Sequence, residues 1–289
     1  MLYLLYIILF VFGVVFGSFL NVIGLRYKAE KFLLDKEAIG GRSQCPICKK
    51  QLVWYELVPL FSFLALKGKC RHCGHRISLQ YPIIEFLSGI IFVAVPLYFM
   101  NTYNVSQLAF SGQDIRWFYG LSIIWTLAFL AMLLLSVIDF RQFLIPNELN
   151  IFLAFLGVGA MLLKHGSFLG YYSSILEINS RIWVNHISAA LIAMVFLGLI
   201  IFLSRGKGMG LGDLKLAGAL GLLFGWPDIL LVVMLAFVIG SFLSIALMAL
   251  KKKTLHDSVP FGPFLVLSSF IVFLFGFQIV NGYFKLFGL

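Results

Sequence analysis

"SRGKGMGLGDLKLAGALGLLFGWPD", residues 204–228, sets a carboxylate, Asp213, in a glycine-rich turn directly before an apolar stretch that runs only from Leu214 to Trp226. A helix over those residues, at about 1.5 Å rise each, covers roughly 20 Å of a hydrocarbon core roughly 30 Å thick. Outward from this short stretch the chain carries seven more, at about 2–25, 82–100, 117–138, 148–163, 187–203, 229–250 and 259–281. Of 289 residues, 61% are hydrophobic and 12% charged, and the mean hydropathy is +1.01. That balance excludes an ordinary soluble domain. The predicted fold is an all-α polytopic membrane protein of about eight transmembrane helices. Residues 1–25 read as the first span and not as a cleaved secretory signal, because they lack a basic start and their apolar run is too long.

The shortness of the sixth stretch has a chemical consequence. Its glycine turn must dip inward, and irregular backbone at membrane depth is tolerated only where it is buried in protein or lines water. Asp213 is therefore expected to border an aqueous cavity.

Charge sets the orientation. With loops assigned alternately, one set holds eleven Lys or Arg between Arg26 and Arg76, then Arg141, Arg205, Lys207 and Lys251 to Lys253. The opposite set holds only Arg116, Lys164, Arg181 and Lys285. Positive charge marks the cytoplasmic side, which puts the N-terminus outside and residues 26–81 and Asp213 inside. The formal net charge of +10 is thus mostly an orientation signal against anionic lipid, and no nucleic-acid partner is expected.

Residues 26–81 form the one polar insertion, between the first and second spans, and hold all four cysteines as "CPIC" (Cys45, Cys48) and "CRHC" (Cys70, Cys73). Two such knuckles, separated by 21 residues, can aim four thiolates at one point in the manner of a structural zinc ribbon. Two disulfides would need an oxidising compartment, against the charge-based topology. A redox pair would need a βαβ pattern that is missing here. His72 and His75 flank the second knuckle as alternative ligands, but four cysteines already close a site. So small a segment buries too little surface to fold alone, so the metal would act as a staple and not as a catalyst.

Acidic residues near membrane depth are expensive unless they face a cavity or a partner. The candidates are Glu85, Asp139, Glu148 and Asp213. Asp139 ends the third span in "LLLSVIDFRQFLIPNELN". Two carboxylates reaching one water-filled cavity can share a proton and work as acid and base on a water. The plainer alternative pairs Asp139 with Arg141 at a solvated helix end, and has Asp213 pair with Lys215 or cap the sixth helix. The glycines themselves do not spell a phosphate loop: "GKGMGLGD" has no G-x-x-x-x-G-K-[ST] and no intact G-x-G-x-x-G.

Five separated stretches then resemble one family in its own order: "FGSFLNVIGLR" (16–26), "CPICKKQLVWYELVPLFSFLALKGKCRHCGHRISLQYPIIE" (45–85), "IDFRQFLIPNEL" (138–149), "GMGLGDLKLAGALG" (208–221) and "VPFGPFL" (259–265). Together these resemble the type IV prepilin leader peptidases, aspartic G-x-G-D membrane proteases. The resemblance implies that Asp139 and Asp213 are the catalytic aspartates, the second within Gly210, Leu211, Gly212, Asp213. It implies removal of the basic leader of type IV prepilins or pseudopilins at the cytoplasmic face of the bacterial inner membrane. Relatives with the cysteine-bearing insertion are also regarded as N-methyltransferases using S-adenosylmethionine.

Asn147 departs mildly from the family pattern, where many relatives carry Asp. Gly210, Gly212, Lys215 and Glu85 are candidate substrate-binding residues. Glu85 more readily pairs with a basic neighbour, and Glu56 reads as an exposed solvated acid. "PFGP" (260–263) is expected to give a second non-helical wall. The expected organisation is a first helix over 1–25, a zinc-binding, methyltransferase-associated insertion over 26–81 and a peptidase domain over 82–289. Two rivals remain: a proton-coupled transporter with a cytoplasmic zinc domain, and a binding platform for pilus-assembly proteins.

Overall fold

Each of the eight apolar stretches is a helix. The computed structural model describes residues 2–29, 31–33, 35, 39–102, 116–163, 181–206, 208–252, 254 and 257–286. Lys36, Lys164, Lys207 and Lys253, which enter the charge asymmetry, lie outside them. The chain divides into two compact units, Met1–Ile115 and Arg116–Leu289. Among the described residues the structure is helical, apart from two isolated antiparallel bridges in the cysteine segment, Gln44 with Gln51 and Lys69 with Arg76.

The first unit pairs α1 (Leu2–Arg26) with α3 (Gln80–Thr102) and holds between them a 3-10 turn (Trp54–Leu57) and the short α2 (Phe61–Ala65). The two long helices meet backbone to backbone because glycines line the seam. A Cβ at Gly17 would lie 2.7 Å from Ser88 Cβ and 2.9 Å from Glu85 Cα. Small residues at such spacing let helices approach closely where lipid offers no hydrophobic drive for their association. Phe10 and Phe86 pack edge to face beside the seam, and Gln80 Nε2 donates to the buried Asn21 Oδ1 at 3.0 Å.

The second unit contains α4 (Arg116–Gln142), α5 (Asn147–Leu163), α6 (Ile182–Leu203), α7 (Leu211–Phe224), α8 (Asp228–Ala249) and α9 (Gly262–Leu286). From Ala128 to Asp139 every residue of α4 is buried, the signature of a helix with neighbours all round. Trp125 and Phe129 stack against Phe273 of α9 at 4.7 and 5.1 Å between ring centres, and Phe224 of α7 meets Trp125 at 4.9 Å. The short α7 packs against α5, α6, α8 and α9. Its far end is tied by Asn185, which accepts from Trp226 N–H at 2.8 Å and donates to Trp226 C=O at 3.2 Å.

Among the described residues, six helices are long and apolar enough to cross a membrane; α5, with 17 residues, and α7, with 14, are shorter. Large apolar side chains point outward along them, including Phe155, Leu191, Phe202 and Phe242. Surface of that kind needs lipid to cover it, so this is a multi-pass membrane protein.

One boundary differs from the sequence reading. The glycine turn is shorter than expected, and α7 begins at Leu211, so that Asp213 lies inside its first turn. The cause is local: the Asp213 carboxylate reaches back to the N–H of Gly210, satisfying one of the donors a helix start leaves open.

Candidate active site

Asp139 sits near the C-terminal end of α4 and Asp213 in the first turn of α7, and both line one cleft of about 300 Å³. Asp139 is 4% exposed and Asp213 9%. Each carboxylate is held by one glycine N–H at a helix start. Gly210 N–H donates to Asp213 Oδ2 at 3.3 Å, and Gly262 N–H, at the start of α9, donates to Asp139 Oδ2 at 3.1 Å. Partial positive charge at a helix N-terminus favours an anion there. The other oxygen of Asp213, Oδ1, is buried with no hydrogen-bond partner. An acceptor left open in this way can take a bond from a water or a substrate group.

The plainer pairings proposed for these acids take a different form. Lys215 does not bond Asp213; its Nζ donates to Asn147 Oδ1 at 2.9 Å across the mouth of the cleft. Asp213 does support its own helix start, and still faces the cleft. Glu148 lies in the first turn of α5, where its charge suits the helix dipole.

The two candidate glycines differ. A Cβ at Gly212 would press on Ile145 Cβ at 3.1 Å, so Gly212 is required by packing between α7 and the α4–α5 connection. At Gly210 the nearest atom would be Asp213 Oδ2 at 3.7 Å, an ordinary contact that a methyl group can make. Gly262 and Pro263 open α9 and so correct the non-helical wall expected from "PFGP", and the Gly262 amide holds a carboxylate. The signal available in sequence was the Gly262–Pro263 pair opening a helix.

The cysteine segment converges as expected. The sulfurs of Cys45, Cys48, Cys70 and Cys73 all lie within 4.8 Å of one another, and Cys45 and Cys73 are 3.9 Å apart. The two knuckles repeat one geometry. Cys45 N–H bonds Lys50 C=O as Cys70 N–H bonds His75 C=O, and the fourth residue after each leading cysteine, Lys49 or Gly74, has positive φ. Amides of Cys48 and Ile47 aimed at Cys45 hold its thiol down, to about 7. At Cys73 the His75 amide pulls the other way but is outweighed by burial and the neighbouring sulfurs, which push that thiol up to about 11. His72 and His75 are exposed and outside the cluster.

Glu56 and Glu85, in the first unit, correct the reading from sequence. Glu56 is buried, because its Oε2 accepts the N–H of Val53 at 3.0 Å and closes the 3-10 turn. Glu85 is buried too, and takes the main-chain N–H of Leu60 at 2.8 Å in place of a basic side chain. Leu60 has φ +58, a turn conformation whose free amide needs such an acceptor.

Comparison with known proteins agrees over most of the length. The pattern of the Bacterial Peptidase A24 N-terminal domain matches residues 11–99, and that of the Type IV leader peptidase family matches residues 126–245. The chain is 29% identical to the prepilin leader peptidase/N-methyltransferase of Bacillus subtilis (strain 168), over 96% of this chain and 98% of the relative. It is 32% identical to the protein of that name from Stutzerimonas stutzeri, over 94% and 91% of the two chains. The corresponding figures for Xanthomonas campestris pv. campestris are 30%, 96% and 93%. No solved structure matches. The second pattern covers both cleft aspartates and the first covers all four cysteines, and on these matches the chain belongs to the type IV leader peptidase family.

Proposed function

We propose that this chain removes the leader from type IV prepilins or pseudopilins and methylates the new N-terminal amine. The observation that carries the reading is the convergence of Asp139 and Asp213, far apart in sequence, on one cleft within a family whose relatives are named for that chemistry. Two carboxylates so placed share a proton, since like charges a few ångströms apart do not both ionise. The ionised carboxylate takes a proton from a water as its oxygen attacks the carbonyl carbon at the leader junction. The protonated carboxylate gives its proton to the carbonyl oxygen. The resulting gem-diol collapses as the C–N bond breaks, the departing amine takes up a proton, and no covalent enzyme intermediate forms.

Gly210, Gly212 and Lys215 line the approach to this pair and are assigned to substrate binding. Glu85 is a candidate for a basic leader through whatever part of its carboxylate Leu60 leaves free. Residues 26–81 act as the zinc-stapled, methyltransferase-associated insertion, and the peptidase chemistry lies within residues 82–289. Four sulfurs within 4.8 Å suit a tetrahedral Zn²⁺ with Zn–S bonds of about 2.3 Å. Such a closed site supplies folding energy and no open position for water. S-adenosylmethionine, the donor this reading calls for, would supply the methyl group for the new amine. The charge asymmetry supports the bacterial inner membrane as the site of action, with the cleft facing the cytoplasm. The comparisons give no support to the transporter reading.

The test is incubation of the purified protein with a prepilin and labelled S-adenosylmethionine, reading leader loss and methyl transfer separately. Leader loss that disappears in Asp139→Asn and in Asp213→Asn supports the assignment. Normal cleavage by either variant removes it.

A further inference from the structure

The connection between α4 and α5 forms one wall of the cleft, and it contains a gap in the main-chain hydrogen bonding. Phe143 N–H is used by Asp139 C=O at 2.9 Å, and Pro146 C=O is used by Asn150 N–H at 3.4 Å. Among the described residues, the N–H and C=O groups of Leu144 and Ile145, which lie between them, make no hydrogen bond. Both residues are half-buried and line the cleft with Asp139 and Asp213. Polar main-chain groups withdrawn from water are normally paired.

Local sequence keeps this segment from folding into either helix. Phe143 turns the chain with φ +52. Pro146 has no N–H and holds the residue before it away from helical geometry. Proline therefore biases Ile145 to extended geometry, and Leu144 beside it belongs to neither helix. Gly210 lines the same cleft and puts no side chain into it.

We propose that Leu144 and Ile145 are a two-residue strand edge that pairs with the main chain of an extended substrate at the bond to be cut. The proposal rests on the peptidase reading above and names how that cleft holds its peptide. A peptide bond inside a helix has its carbonyl bonded internally and is closed to attack. An extended peptide laid on an unpaired edge is held by its backbone while its carbonyls stay open, the mode known as β-augmentation. In a strand each residue directs its N–H and C=O to the same side, so one of the two residues turns both groups to the substrate and bonds a single substrate residue. This grip is independent of side chains and so suits clients of varied sequence.

The experiment replaces single amides by esters along a synthetic prepilin peptide, at each position within four residues of the scissile bond except that bond. Each peptide is assayed for cleavage by the wild-type protein and for binding to the Asp213→Asn variant. One ester should lower kcat/KM, and weaken binding, by about tenfold or more, with its immediate neighbours changing less than about twofold. The Leu144→Pro or the Ile145→Pro variant removes an edge N–H, whose partner is the carbonyl of the same substrate residue; at the pairing residue it should lower kcat/KM for the all-amide peptide by about tenfold and leave the ester penalty, which reports the edge C=O, in place. If both variants fail to fold, the single-position pattern with wild-type protein still decides. Small, uniform effects on a peptide that is cut overturn the strand edge and leave the peptidase reading standing. A peptide that binds with the single-position pattern but is never cut supports the edge and overturns the peptidase reading. A peptide neither cut nor bound overturns both.

Discussion

The main-chain N–H of Gly262 donates to Asp139 Oδ2 at 3.1 Å, and a Cβ added at Gly262 would stand 2.6 Å from that same oxygen. The start of α9 thus both holds the carboxylate and leaves no room for a side chain beside it. A Gly262→Ala variant must move the carboxylate, the helix start or both. Misplacing a reacting group by about an ångström can cost on the order of 10²-fold in rate. The expected result is a fall of that order in kcat with a smaller change in KM, in a protein that still inserts and purifies normally. Initial-rate kinetics on a prepilin peptide measures it.

Asp213→Asn should separate stability from activity. The asparagine side-chain oxygen still accepts the Gly210 N–H, while the buried Oδ1, which has no partner, gives way to an uncharged NH2 group. Leader cleavage is expected to fall at least about 10³-fold, as for other essential groups acting as a unit. Thermal unfolding in detergent should come at the same temperature or higher. A clearly lowered unfolding temperature would show that the carboxylate is there to hold the fold.

The two glycines before Asp213 should respond in opposite ways. Gly212→Ala presses on Ile145 and is expected to lower stability by about 1–3 kcal/mol, as overpacking does. Gly210→Ala meets no neighbour closer than 3.7 Å and should leave stability unchanged while raising KM, because the added methyl occupies the substrate's side of the cleft. Denaturation curves and steady-state kinetics on the two variants distinguish the roles.

Removing the metal should loosen the cysteine segment. One Zn²⁺ per chain is expected by elemental analysis, lost in Cys45→Ser. Proteolysis between about residues 40 and 77 should then become fast, because the two knuckles have few other contacts to stabilise them. Acidification should release the metal as protons compete for the thiolates, so zinc content falls as pH falls. Unchanged protease resistance after chelation would argue against a staple.

Glu85 offers a test between a structural and a binding role. Glu85→Gln keeps an acceptor for Leu60 N–H, whereas Glu85→Ala leaves a buried amide unpaired at a cost of about 1–3 kcal/mol. If the charge meets a basic leader, Glu85→Gln raises KM for prepilin at unchanged stability. If the carboxylate serves the turn alone, Glu85→Gln behaves as wild type and only Glu85→Ala is unstable.

The helices were legible in the sequence because a lipid-facing helix declares itself by length and hydropathy alone. The thirteen-residue stretch after Asp213, charged only at Lys215, also pointed to a cavity, although the helix takes in Asp213 itself. The four cysteines were legible because each knuckle is local. Partner choice across the fold was not. Nothing near Asp139 names Gly262 as its donor, and nothing near Lys215 distinguishes Asn147 from Asp213 as its acceptor. Glu85 looked like an acid awaiting a cation and Glu56 like a solvated one, yet each takes a turn amide whose orientation only the folded backbone sets.

The length of α5 bears on the lipid as well as on the protein. Its 17 residues span about 25 Å, and its outer face, with Ile151, Phe155 and Leu162, is exposed along that span. The described part of α5 falls short of a bilayer core of about 30 Å, at the flank where Asn147 borders the cleft. A short hydrophobic length favours lipids with shorter acyl chains, so cleavage in bilayers of graded chain length is expected to fall as the chains lengthen.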